Sequence, residues 1–231
     1  MEKKIKRQES FSATFLLLAV SFVVCLISSN LFASKIFSLY GFTLSGAVII
    51  FPISYIINDA LTEIYGYRKA RLTIWMGFLL NLLFVLAAQL VMLLPGAPFW
   101  EGEEAFATVF SSTPRALMAS LLAFLVGANA NAIIMSKMKV TNSGKNFSAR
   151  AILSSIAGET MDSLIFVPVM FWFLPWMEMG KLMLGQIVIK VTYEIVILPI
   201  TKLVVKRIKS MEGEDVYDYG ISYNPFKLTD Y

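Results

Sequence analysis

No histidine occurs among the 231 residues of this chain, and cysteine occurs once, as Cys25. Without imidazole there is neither a proton relay of the usual kind near neutral pH nor a histidine ligand for a metal. A single thiol forms no disulfide within the chain and no cysteine-based zinc site. No metal and no cofactor are expected. Charge is scarce too: Asp, Glu, Lys and Arg make up 16% of the residues, against about 25% in soluble domains. The formal net charge is only +4, and the basic residues fall in short clusters between apolar blocks. That distribution excludes a nucleic-acid binder, which gathers its positive charge on one face.

What is present is apolar. Hydrophobic residues account for 57% of the chain and fall in separate blocks of about twenty, each long enough to cross a hydrocarbon core of about 30 Å as a helix. The chain reads as an all-α membrane protein embedded in the lipid bilayer. Apolar runs bounded by charge or turn residues predict six transmembrane helices near 11–33, 44–64, 72–94, 116–136, 150–174 and 183–205. No run alternates as a barrel strand does. The longest connector, 95–115, carries Pro95, Gly96, Pro98, Glu101, Glu103 and Glu104 and reads as a polar external loop.

Fifteen Lys and Arg residues flank one set of span ends and three (Lys35, Arg115, Lys181) flank the other. By the positive-inside rule both termini are expected in the cytoplasm. The basic start followed by an apolar run also suits a signal peptide, but the run from Phe11 to Phe32 exceeds the usual 7–15 residues and no clear small-x-small site follows. The domain plan is then a six-helix transmembrane domain over 1–209 and a polar tail over 210–231.

Ionisable residues inside a span each cost at least about 2.5–3.5 kcal/mol unless paired or facing a cavity. Six stand out. Asp59 and Glu63 lie one turn apart in the second span, Glu159 and Asp162 in the fifth, and Lys190 and Glu194 in the sixth. Such spacings put each pair on one helix face. Glu159 and Asp162 sit about 13 and 18 Å from the inner end of their span, and Glu194 about 16 Å from the outer end of its own. These three are near the midplane; Glu63 is almost at the interface. Lys190 suits a salt bridge to Glu194 or Asp162, and Glu63 an ion pair with Arg68 or Arg71. Five acids against one lysine still leave carboxylates that bind a cationic or hydrogen-bond-donating substrate, or carry protons.

Among the amides at membrane depth are Asn30, Asn81, Asn129, Asn131 and Gln186, which can join helices or meet a ligand. Ser120, Ala123, Gly127 and Asn131 form a small-residue stripe suited to close packing. Pro52, Pro168 and Pro199 fall in the same three spans as the acids, and the carbonyls a proline frees suit the wall of a pocket.

Asn58-Asp59-x-x-Thr62-Glu63-x-Tyr65-Gly66-Tyr67-Arg68, preceded by Pro52, resembles the signature of the queuosine precursor transporter family, also called vitamin uptake transporters. Ser28-Ser29-Asn30, Arg115-x-x-x-Ala119-Ser120, Lys137-Met-Lys139 with Gly144, Arg150, Gly158-Glu159-x-x-Asp162-Ser163, and Lys190 with Glu194 and Pro199 agree in order. The resemblance implies a six-helix inner-membrane importer of 7-deazaguanine bases such as 7-cyano-7-deazaguanine, its aminomethyl relative or queuine. A carboxylate accepts the paired N–H donors of a guanine-like edge in bidentate fashion. Glu159 or Glu194 suits that role, with Asp162 and Lys190 as the adjacent ion pair and Asn30 and Asn131 as secondary contacts. Asp59 and Glu63 complete the candidate set. A homodimer is compatible with this reading.

Two other readings compete. One is the substrate-binding membrane subunit of an energy-coupling-factor importer, which needs a separate ATPase; this chain has no Gly-x-x-x-x-Gly-Lys-Ser/Thr loop. The other is a membrane-embedded enzyme using paired carboxylates, disfavoured by the missing histidine.

Overall fold

The computed structural model describes residues 11–39, 42–110 and 114–228. Its elements run α1 (Ala13–Phe32), β1 (Ile36–Leu39), β2 (Phe42–Ser45), α2 (Ala47–Met92), α3 (Glu103–Phe110), α4 (Pro114–Thr141), α5 (Phe147–Met170) and α6 (Trp176–Glu212). The basic residues ahead of the first span, Lys3, Lys4, Lys6 and Arg7, lie outside the described residues.

Among the described residues four helical segments are long and apolar enough to cross a membrane: Ala13–Phe32, Ala47–Met92, Met118–Thr141 and Phe147–Met170. The sequence divides the second of these into two spans, and the backbone explains how both descriptions arise. Straight, the 46 residues of α2 would reach about 69 Å, more than twice the hydrocarbon thickness. At Gly66 the backbone leaves the helix, with φ 81° and ψ 169°, and two helical segments meet there. Only glycine enters that region without strain. A Cβ at this position would also stand 2.8 Å from Asp218 Oδ1 and 2.8 Å from Val216 Cγ1. Gly66→Ala is therefore expected to destabilise the protein by about 1–3 kcal/mol, read as a lowered unfolding temperature in detergent. An unchanged temperature would mean that the break tolerates an ordinary residue.

α6, the remaining long helix, carries Lys181, Lys190, Glu194 and Lys202 and is not among the four. Three short elements fall in or at the edge of expected connectors. Strands β1 and β2 pair antiparallel, Ile36 opposite Ser45 and Leu39 opposite Phe42. The loop over 95–115 contains α3, whose first turn holds Glu103 and Glu104, the charge sign that a helix N-terminus favours. Phe106 and Phe110 support it, their ring centroids 4.5 Å apart.

The bundle is apolar outside and polar within. Leu17, Val20, Leu83, Leu90, Leu164, Val196 and Leu203 all point outward. That would be a liability in water and is what a lipid-facing surface requires. Inside, α1 packs Phe15, Ala19, Phe22 and Leu26 against Ile57, Leu61, Ile64 and Ile74 of α2 and Phe124 of α4. Asn30 Nδ2 donates to Asn81 Oδ1 at 2.9 Å and ties α1 to α2. Helices α4 and α5 approach through glycine: a Cβ at Gly127 would lie 2.8 Å from the Gly158 carbonyl oxygen. The small-residue stripe of α4 is a packing surface at this point.

After α6 the tail folds back over one end of the bundle. Val216 N donates to the Ile64 carbonyl at 3.1 Å. Asp218 Oδ2 accepts from Tyr67 N at 2.7 Å and from Ser136 Oγ at 2.5 Å. Trp75 Nε1 donates to the Pro225 carbonyl at 2.7 Å, and Arg71 Nη1 to that of Asn224 at 2.8 Å. Gly66 is where this strap meets α2.

Candidate functional site

The polar groups of α2, α5 and α6 form three layers along the bundle. The first surrounds a cavity of about 410 Å³ near the end where α1 finishes and α2 begins, lined by Asn30, Phe51, Pro52, Asp162, Phe166, Gln186 and Lys190, among others. Such a volume lies within the roughly 300–1,000 Å³ of small-molecule sites. Lys190 Nζ donates to Glu159 Oε2 at 2.5 Å and to Asp162 Oδ2 at 3.0 Å. It also stands 4.6 Å above the centre of the Phe51 ring. Two carboxylates sharing one ammonium leave this layer with an excess negative charge when all three are ionised.

Lys190 thus bridges Glu159 and Asp162, and Glu194 is not its partner. The geometry follows from direction. Glu159 and Asp162 of α5 lie three residues apart and face α6, so one ammonium reaches both. Glu194 lies one turn further along α6, toward the second layer.

That second layer is buried and built mostly of amides and hydroxyls around two acids. Asn58 Nδ2 donates to Asn131 Oδ1 at 2.8 Å and to the Ala128 carbonyl at 3.1 Å. Asn131 Nδ2 in turn donates to Ser155 Oγ at 3.3 Å. Asp59 and Glu194 meet here, their carboxyl groups within hydrogen-bonding reach of each other. Ser154 Oγ approaches Asp59 Oδ1 at 3.5 Å. The Tyr55 hydroxyl, between the first two layers, has no hydrogen-bond partner among the described residues.

In the third layer Glu63 is the hub. Arg150 Nη1 and Nη2 grip its two carboxylate oxygens at 2.5 and 3.0 Å, and Lys209 Nζ approaches at 2.6 Å. Lys139 Nζ donates to the Glu63 carbonyl at 2.5 Å and to Asp215 Oδ1 at 2.5 Å. Lys209 also reaches Asp215, at 2.7 Å. Burial pushes the Asp215 carboxyl upward, but its bonds to Lys139 and Lys209 outweigh that and hold it below the ordinary aspartate range. The expected partners of Glu63, Arg68 and Arg71, are not the ones it has. The Gly66 break turns the following segment away, and Arg71 serves the tail instead.

Of the eight candidates, Asn30, Asp162 and Lys190 line the cavity, with Glu159 bonded to Lys190. Asn131, Asp59 and Glu194 form the second layer, and Glu63 the third. Phe51 and Tyr55 were not singled out from the sequence, because an aromatic in an apolar run carries no local mark of facing a cavity. In the sequence Lys209 is a flanking charge and Asp215 a tail charge, and their spacing from Glu63 holds no hint of contact.

A polytopic helical bundle with a lipid-facing exterior, a file of buried charges and a small-molecule-sized cavity has the build of a membrane transporter. Residues 45–204 match the family described as "Putative vitamin uptake transporter", and the chain belongs to that family. Over 148 residues it is 30% identical to the "Probable queuosine precursor transporter" of Bacillus subtilis (strain 168). The match covers 63% of this chain and 64% of that relative, a little under two thirds of the relative's length. No solved structure matches the chain.

Proposed function

We propose that the protein imports 7-deazaguanine precursors of queuosine across the cell's inner membrane, binding the base in the 410 Å³ cavity. Six spans with cytoplasmic termini, counting the two halves of α2 separately and including α6, open this cavity toward the outside. The fifteen-to-three distribution of basic residues supports that orientation. The observation that carries the reading is the cavity wall itself: carboxylate, ammonium and amide beside the Phe51 and Phe166 rings. A planar heterocycle with two parallel N–H donors suits such a wall, stacking on an aromatic and presenting its donor edge to a carboxylate. The name of the Bacillus subtilis relative favours the same substrate class.

Asp162 takes the role of edge reader, which sequence reasoning assigned to Glu159 or Glu194, because it is the acid on the cavity wall. Glu159 fixes Lys190 beside it, and Asn30 and Gln186 serve the ring carbonyl. The binding reaction is a partner exchange in which the substrate's donors replace part of the bond between Lys190 and Asp162. Nothing in this scheme breaks a covalent bond, so the protein acts as a carrier and not as an enzyme.

The test is queuosine content of tRNA in a precursor-auxotrophic bacterium supplied with limiting 7-cyano-7-deazaguanine. The wild-type gene is expected to restore modification. Asp162→Asn gives up a hydrogen bond to a charged group, about 1.5–3 kcal/mol, which is roughly a 10- to 150-fold loss of affinity. Restoration by Asp162→Asn at wild-type precursor concentrations would remove Asp162 from the site. No restoration by the wild type, with the protein present in the membrane, would count against the substrate class.

A further inference from the structure

The second layer contains something that substrate binding does not use. Asp59 is 1% exposed and Glu194 5% exposed, and their carboxyl groups lie within hydrogen-bonding reach of each other. No Lys or Arg among the described residues forms a salt bridge with either one. The contrast with the neighbouring layers is sharp: Glu159 and Asp162 share Lys190, and Glu63 holds Arg150 and Lys209.

An ionised carboxylate only accepts hydrogen bonds. Two of them in contact, away from water and without a cation, repel each other in a medium of low dielectric constant. One proton between them turns the repulsion into an O–H···O⁻ hydrogen bond, the arrangement of paired acids that share a proton. A second observation points the same way. Among the described residues Glu194 Oε1 is buried with no hydrogen-bond partner, and so is Asn58 Oδ1 in the adjoining amide network.

We propose that the Asp59–Glu194 pair is a proton-binding site, and that one proton taken up there moves with each substrate molecule. The second half of this inference rests on the import reading. The pair stands just behind the cavity floor. Glu194 is one helical turn, about 6 Å, beyond Lys190 on α6. A hydronium ion in the cavity gives its proton to a carboxylate oxygen of the pair, forming the O–H bond and leaving water; release toward the other end reverses the step.

Each packed element contributes to the field at the pair. On α2, Tyr55 lies one turn toward the cavity and Glu63 one turn the other way. On α5, Glu159 and Asp162 sit toward the cavity and Arg150 toward Glu63, with Ser154 and Ser155 alongside. From α4 comes the neutral Asn131, and from α6 come Lys190 and Lys209, each engaged with an acid of another layer. Symport requires that substrate in the cavity and the proton on the pair favour each other's binding, a positive coupling free energy between two sites about one helical turn apart.

The test uses the full chain in liposomes, with labelled 7-cyano-7-deazaguanine as the probe. Wild type should show counterflow at equal pH, and an inside-alkaline gradient should drive accumulation of about tenfold per pH unit for one proton per substrate. Glu194→Gln and Asp59→Asn should keep counterflow within about threefold and lose the gradient-driven accumulation. Accumulation that persists in both variants, or that follows a sodium gradient and not a pH gradient, would overturn the coupling. Infrared spectroscopy supplies a reading independent of substrate: the carbonyl stretch of a protonated carboxylic acid should be present in wild type and lost in the Asp59→Asn, Glu194→Gln double variant. A spectrum unchanged by that double substitution would overturn the proton site. Missing wild-type counterflow would sink the import reading, and with it the coupling, while the infrared band would still decide whether the pair holds its proton.

Discussion

Glu63→Ala should lower the unfolding temperature of the detergent-solubilised protein by on the order of 10 °C, the largest stability loss expected from any single change in the third layer. The argument runs from burial. Arg150 is fully enclosed, and its guanidinium meets the Glu63 carboxylate and the carbonyls of Gly144 and Lys145. Removing the carboxylate leaves Arg150 with carbonyls alone and Lys209 with Asp215. Breaking one partner out of a buried pair costs about 3–5 kcal/mol, because the other charge stays buried without compensation. In a protein of this size that corresponds to the temperature shift stated above. The double variant Glu63→Ala, Arg150→Met should recover a good part of it, since removing both partners costs less than removing one. Equal unfolding temperatures for wild type and Glu63→Ala would show that the hub contributes nothing to stability.

How much of this cluster was legible in the sequence can be read from its members. Glu63 stands out because a carboxylate at the end of an apolar run demands a partner. Its partner could not be chosen from spacing: Arg68 and Arg71 are near in sequence, whereas Arg150 and Lys209 are near only after α5 and α6 have packed. The helices themselves were more legible. The apolar runs coincide with α1, the two halves of α2, α4 and α5, because a run of that length in lipid has to satisfy its backbone internally. Helix ends were less so: α6 runs through Lys206, Arg207 and Lys209 to Glu212, since charged residues are good helix formers once the chain has left the apolar layer. The β1–β2 hairpin and α3 were missed for a related reason, both being short elements inside segments read as connectors. The tail was legible only as polar. That Asp218 caps the Gly66 break and Asp215 joins the ion cluster depends on the chain folding back, and no local pattern encodes that.

Lys190→Met tests the first layer, where a structural salt bridge and a ligand contact predict different outcomes. The ammonium serves Glu159 and Asp162 together, and Glu159 is 2% exposed. Without Lys190 the two acids, one turn apart on α5, lose the ammonium they share, and Lys181 on the cavity wall is engaged with Glu178. The expected cost is about 3 kcal/mol, the lower end for an uncompensated buried charge because the cavity admits water to Asp162. Uptake of 7-cyano-7-deazaguanine should fall more than tenfold. Adding Glu159→Gln to Lys190→Met removes the excess charge, so the unfolding temperature should return to within a few degrees of wild type. If Lys190 only holds the bundle together, uptake should return along with stability. If it also positions Asp162 for the substrate edge, stability should return and uptake should not. The second outcome is expected, because no neutral residue left at that point can hold the Asp162 carboxylate facing the cavity. A double variant that is stable and fully active would leave the substrate edge to the amides Asn30 and Gln186, and Lys190 with a structural role alone.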